Sequence, residues 1–142
     1  MFYDREEGKN NMEKYITKDD YLIAKGINLD IELQNNDNAS RKVERFIEEV
    51  TDWCVGYLIT TYAVNELNED LYPFSDLAEF RQKFFRKGVI EQIEYMLSEG
   101  DISIQSGINQ ELAIVVDYSK VFLGPKAYQA FYRGGFCNIG RQ

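Results

Sequence analysis

Histidine is absent from the 142-residue chain. That excludes Ser-His-Asp and Cys-His catalysis and every metal site with an imidazole ligand. Cysteine is scarce: Cys54 and Cys137 make neither a CxxC pair nor a zinc-binding set. Cys54 falls in an apolar helical pattern and reads as a small core residue. Cys137 follows Gly134, Gly135 and Phe136 and is expected at the surface, and a Cys54–Cys137 disulfide is compatible with the sequence. A long apolar run is missing as well. The longest nearly uncharged stretch, residues 53–64, is too short and too polar to cross a bilayer. Asp4, Glu6 and Glu7 stand where a secretory leader needs basic and then apolar residues, so the chain reads as cytoplasmic in type with no membrane partner. Excess positive charge is lacking too, with 24 acidic against 16 basic residues and net charge -8. A nucleic-acid binder held by phosphate neutralisation is therefore disfavoured.

What is present suits one compact domain: apolar residues make up 44% and charged residues 28% of the chain. Charge is unevenly spread. Residues 1–73 carry 16 acidic and 8 basic side chains, residues 74–100 carry 5 and 4, and residues 101–142 carry 3 and 4. An acidic half beside a near-neutral, aromatic end lets copies stack with unlike ends together, although a solvated acidic face explains the same numbers.

Residues 1–16 lack a usable period and are expected to form a flexible arm, leaving 17–142 as a single helical domain. Met12 is as eligible a start as Met1. Thr17 followed by Asp20 is a capping-box pattern with Asp in place of Glu, and Gly26 is the natural stop of the short helix behind it. Ile27, Leu29, Ile31 and Leu33 alternate with polar residues, which fits an extended piece or a second short helix. Asn35 to Asn38 reads as a polar turn. From Ala39 a long amphipathic helix carries Val43, Phe46, Ile47, Val50, Trp53, Cys54, Tyr57 and Leu58 on one face. Beyond Val55 its charged face disappears, so residues 55–62 are expected to be the most buried part of the fold or a subunit contact. Ser75 reads as the N-cap of a third helix over 76–98, with Leu77, Phe80, Phe84, Ile90, Ile93, Met96 and Leu97 inward and Gly88 marking a kink or a close crossing. Gly100 is its stop. Residues 101–118 are the least helical stretch, a hairpin-like loop or a protruding arm. Pro125 opens the last helix, with Ala127, Ala130 and Phe131 inward and Gly134 and Gly135 ending it. The expected fold class is mainly α: a small helical bundle of two long and two short helices, with an extended loop or hairpin before the last.

No enzyme signature emerges. Glu44 with Glu48 and Glu91 with Glu94 share helix faces, yet without histidine or a phosphate cradle they read as solvated surface. Asn68, Glu69 and Asp70 lack the ligand spacing of a calcium loop. No cofactor, metal or catalytic residue is expected. Arg81, Lys83, Arg86 and Lys87, interleaved with Phe80, Phe84 and Phe85, make too small a stripe for nucleic acid, and fit a solvated face or contact with an acidic partner. Aromatic residues reach 14%, more than one small core takes in. Some of Tyr57, Tyr62, Tyr72, Tyr118, Phe122, Tyr128, Phe131, Tyr132 and Phe136 are therefore expected to face a partner, although aromatic packing within the core explains the same content.

The order of these elements is informative. A short capped helix near Thr17 precedes ASRKVERFIEEVTDWCVGYLITTY, then FRQKFFRKGVIEQIEYMLSEGDIS, an extended loop, and a small helix ending in Arg133, Gly134 and Gly135. Over roughly residues 17–137 this resembles the head-tail connector proteins of tailed bacteriophages, the adaptor or head-completion group. The resemblance implies a non-enzymatic virion subunit made in the host cytoplasm. It implies self-association into a ring of about twelve copies at the head–tail interface, below the portal protein and above tail or neck proteins. DNA would pass without sticking through a lumen lined by some of Asp30, Glu32, Glu44, Glu48 and Glu49, since carboxylates repel phosphates. Subunit or partner contacts would come from Ile102, Ile104, Ile108, Tyr118, Phe122, Tyr128, Tyr132 and Phe136, with the stretch 102–114 inserted against a neighbour or the portal. Two other readings fit the composition: a small protein-binding regulator of antitoxin or inhibitor type, and a tail-completion protein.

Overall fold

The computed structural model describes residues 15–33, 39–99, 102–104, 114–116 and 122–137. These form five α-helices and a two-stranded antiparallel hairpin: α1 (Lys18–Lys25), α2 (Leu29–Leu33), α3 (Ala39–Tyr62), α4 (Glu79–Glu99), β1 (Ile102–Ile104), β2 (Ile114–Val116) and α5 (Pro125–Arg133). The expected arm before Tyr15, the turn 35–38 and the stop at Gly100 lie outside the described residues.

Local chemistry fixes most boundaries. Thr17 Oγ1 accepts from the Asp20 amide at 3.2 Å, and the Asp20 carboxylate accepts from the Thr17 amide at 2.8 Å. Both orphan donors are satisfied reciprocally, with Asp doing what Glu usually does. Gly26 then takes φ 71° and ends α1 by donating to the Leu22 carbonyl at 2.7 Å. The alternating segment after it resolves as a helical turn. Asn28 Oδ1 accepts from the Asp30 amide at 2.9 Å, and Leu29 and Leu33, four apart, are buried. At the end of α3 the Ala63 amide donates to Ile59 and the Val64 amide to Leu58, an αL-type stop built with Ala63 at φ 56°.

Ser75 does not cap α4. Pro73 leads into a single 3₁₀ turn, Phe74–Asp76, Leu77 is extended, and the α-helix opens at Glu79. The Gln82 side-chain amide donates back to the carbonyls of Leu77 and Ser75, tying this turn to the helix. Of the residues expected inward, Ile90, Ile93 and Met96 are buried and Leu77 and Leu97 pack against the core, so the inward face is wider than expected and excludes Phe80. Phe85, Val89, Gln92, Ile93 and Met96 are buried, whereas Phe80 is exposed.

The burial ranking of the two long helices is the reverse of expectation. The unbroken buried run is 88–93 of α4, while Gly56, Thr60 and Thr61 of α3 are exposed and Val55, Tyr57 and Ile59 only half-buried. The reason is the α4–α5 crossing, where α5 lies on Gly88 so closely that a Cβ there would sit 2.3 Å from Phe131 Cε1. Gly88 thus serves a close crossing, one of its two expected roles. Phe85 centres the aromatic core, with the rings of Tyr15, Phe74, Phe131 and Phe136 at centroid distances of 5.4, 5.4, 5.5 and 5.7 Å. Tyr15 and the fully packed Ile16 therefore belong to the body and not to an arm. Residues 102–104 pair with 114–116 in the register Ile102↔Val116, Ser103↔Val115, Ile104↔Ile114, so the hairpin alternative holds. Pro125 opens α5 and Ala127, Ala130 and Phe131 are buried, as their spacing requires.

Candidate functional site

The aromatic and apolar side chains expected at a contact divide into three groups. Phe122, Tyr128 and Tyr132 are exposed at 67%, 40% and 56%, and the two tyrosines, four apart on α5, stack at 6.1 Å. Phe136 is fully buried: its amide donates to the Phe131 carbonyl at 2.8 Å, folding the ring back onto Phe85 under the Arg81 guanidinium. It is a core residue and drops out of the contact set. Ile102 and Ile104 lie on β1, and Ile108 and Tyr118 fall outside the described residues.

Periodicity alone did not point to the exposed apolar side chains of Leu22 and Ile23 on α1 and Ile31 on α2, at 42%, 82% and 65%. Each sits in a short helix whose other face already supplies the core through Tyr21, Leu29 and Leu33. On α3, Trp53 stacks on Tyr57 at 5.1 Å, and Tyr57 meets Tyr62 edge-on at 6.2 Å. Burial first, then the neighbouring Cys137, Tyr57 and Tyr128, pushes the Tyr62 phenol up to about 12. Burial likewise pushes the Cys137 thiol up to about 11, against the hydrogen bond from Tyr62. Cys137 is thus buried and protonated, contrary to the expected exposure, and both cysteines are free thiols.

The acids separate in the same way. Asp30 Oδ2 is bound by Lys18 Nζ at 2.8 Å, so its charge joins α1 to α2 and is partly offset there. Glu32, Glu44, Glu48 and Glu49 are exposed. Glu48 and Asp52, four apart on α3, edge a groove of about 560 Å³ with an apolar wall of Ile47, Val55 and Ile59. Across it, Glu69 Oε2 accepts from the Tyr15 hydroxyl at 2.8 Å. Burial, then the charges of Glu48 and Glu49, raises the Asp52 carboxyl above its ordinary range.

The basic stretch of α4 has two functions by position. Arg81 Nε donates to the Gly134 carbonyl at 2.9 Å and closes the end of α5, and Arg86 Nε donates to the Tyr15 carbonyl at 2.7 Å. Lys83 and Lys87 are exposed and line a second groove, of about 390 Å³, on the other side of Ile16. Deeper in it, Lys25 Nζ bonds Glu91 at 2.9 Å and Glu94 at 3.0 Å. Burial works against the Lys25 charge, but the two carboxylates outweigh it and hold the ammonium above its ordinary value.

The most buried polar side chain is Gln92. Its Nε2 donates to the Phe122 carbonyl and its Oε1 accepts from the Gly124 amide, both at 2.9 Å. A single polar residue inside the stripe Val89, Ile93, Met96 was the available sequence signal for it. Among the described residues, no three His, Cys, Asp or Glu side chains converge as a metal site, and no helix is long and apolar enough to cross a membrane. No protein-family model, curated protein or solved structure matches the chain.

Proposed function

We propose that this chain is a non-enzymatic subunit of a phage head–tail connector ring, set between the portal and tail-proximal proteins. The observation that carries the reading is the number of large apolar side chains left exposed beside a well-filled core, among them Leu22, Ile23 and Ile31 on α1–α2 and Phe122, Tyr128 and Tyr132 at α5. A closed ring is heterologous, with one surface of a subunit meeting a different surface of the next, and a connector subunit also meets proteins above and below it, so it needs several such surfaces. The element order, on which the resemblance to connector proteins rests, supports the same class. In this reading the exposed acids of α2 and α3 keep the lumen negative, so that DNA slides past without adhering.

Electron microscopy of the native assembly from its source, with mass spectrometry of what is bound, tests the proposal. A ring of about a dozen copies on a portal is expected. A small complex with one non-virion protein would overturn it in favour of a regulator. A ring located at the tail end of the particle would favour a tail-completion role.

A further inference from the structure

Two pairs of charges on this molecule have matched spacing. Glu48 and Asp52 on α3 are four residues apart, and so are Lys83 and Lys87 on α4. At 1.5 Å rise per residue each pair spans about 6 Å on one helix face. No ion pair among the described residues engages any of the four. Phe80, three residues before Lys83 and 54% exposed, stands on the same stripe as the two lysines and packs edge-on with Phe84. The carboxylate pair edges a groove whose wall is Ile47, Val55 and Ile59. One surface is therefore a trough with an apolar wall, Glu48 and Asp52 on one rim and the Tyr15-bound Glu69 across it, and the other is the α4 rim of the second groove, with one ring and two ammonium groups at the same interval.

We infer that the α3 groove of one subunit receives the Phe80–Lys83–Lys87 ridge of a second copy, with the ring against the apolar wall and the lysines on Glu48 and Asp52. The occupant is argued from charge and spacing. A helix laid in an apolar groove with paired rim charges is a common recognition mode. The two patches differ, so the contact is heterologous and leaves each subunit a free groove and a free ridge for the next. This deepens the ring reading and rests on it for closure alone. It moves Glu48 from the lumen to the subunit contact.

The test uses the full chain and two charge-reversed variants, Glu48→Lys with Asp52→Lys, and Lys83→Glu with Lys87→Glu. Self-association is followed by sedimentation at about 10 mM salt, where charges act over about 30 Å. Each variant alone, folded as judged by an unchanged melting temperature, is expected to associate at least tenfold more weakly than the parent. Mixed in equal amounts they regain association, because the reversed groove of one fits the reversed ridge of the other. A parent chain that stays monomeric at about 1 mM, or a mixture that recovers nothing, overturns the inference. Recovery without any ring in the native particle leaves the contact standing and removes the connector reading. A native ring that incorporates both reversed variants does the opposite. Reversal of the groove that abolishes capture of portal or tail proteins, with no recovery in the mixture, assigns the groove to another protein and overturns the self-contact.

Discussion

Gly88 and Phe131 meet with no side chain between them: a Cβ on Gly88 would lie 2.3 Å from Cε1 and 2.6 Å from Cδ1 of the ring. The ring is fully buried against Phe85 and Phe136 and has nowhere to retreat. Gly88→Ala gains about 1 kcal/mol of helix propensity but overpacks the crossing by about 1–3 kcal/mol. A net loss of about 1 kcal/mol is expected in urea unfolding. The double variant with Phe131→Leu should lose less than the sum of the two single changes. Simple additivity would mean that the two residues are not in contact.

Gln92 gives a prediction of the opposite kind, about a missing partner. Replacing it by Met keeps volume and takes away the bonds at 2.9 Å that hold the Phe122 carbonyl and the Gly124 amide. Each group that loses its bond costs about 1–3 kcal/mol, so a loss of roughly 3 kcal/mol is expected. Amide exchange at Gly124 should accelerate with it. A variant of unchanged stability would show that this clamp is not formed in solution.

Ala63 holds φ 56°, a left-handed conformation that disfavours a side chain. Ala63→Gly relieves about 1 kcal/mol there and returns part of it as unfolded-chain entropy, for a net gain of about 0.5 kcal/mol. Thermal unfolding reads the sign directly, and a lower melting temperature would contradict the assigned helix stop.

The Lys25 cluster predicts a pH signature. Its hydrogen bond to Lys25 holds the Glu94 carboxyl below its ordinary range, so this pairing stabilises above the unfolded carboxylate pKa and is lost as pH falls through the lowered one. Lys25 is shifted upward, so its share is complete below about 10.5 and is lost as pH climbs past the raised value. Lys25→Met leaves Glu91, whose side chain is 9% exposed, without its cation and is expected to cost about 3 kcal/mol at pH 7. Glu94, 39% exposed, adds little to that figure. The small share carried by Glu94 should fade only as pH falls below its ordinary value of 4.5, and a gap that stays constant through that range would show that this pairing contributes nothing.

Neither thiol should react under native conditions. Cys54 is fully buried with its thiol pushed strongly up, and Cys137 is 5% exposed with a pKa of about 11. A thiol-disulfide reagent at pH 8 is expected to label neither in the folded chain and both after denaturation. Rapid native labelling of one cysteine would show that the chain's end opens around Cys137.

Much of this fold is legible where a short-range rule decides the backbone. Thr17 with Asp20, Gly26, and Pro125 with Gly134 set helix ends through bonds spanning a few residues, and those ends fall where the sequence puts them. The misreadings share one cause, competition between distant segments. Ser75 has the chemistry of a cap, but Pro73 and the back-bonds of Gln82 favour a 3₁₀ turn at that point. The apolar end of α3 looks central by composition, yet the α4–α5 crossing takes the centre. Phe80 and Phe136 are alike in type and opposite in fate because Phe136 can fold back onto Phe85 beneath Arg81. At the candidate surfaces, Tyr128 and Tyr132 were visible as excess aromatics, while Leu22, Ile23 and Ile31 were hidden in helices too short to show a clear face.

The Gln92 clamp also bears on how such a chain can diverge. It fixes the return of the backbone at Phe122 and Gly124, seven residues along α4 from where that helix ends at Glu99. Both ends of the excursion through β1 and β2 are thereby anchored to one helix, whatever lies between them. Closing a longer loop across fixed ends costs only about 0.6 kcal/mol for each doubling of its length. A change in the length of the segment between those anchors is therefore expected to cost folding little through chain closure.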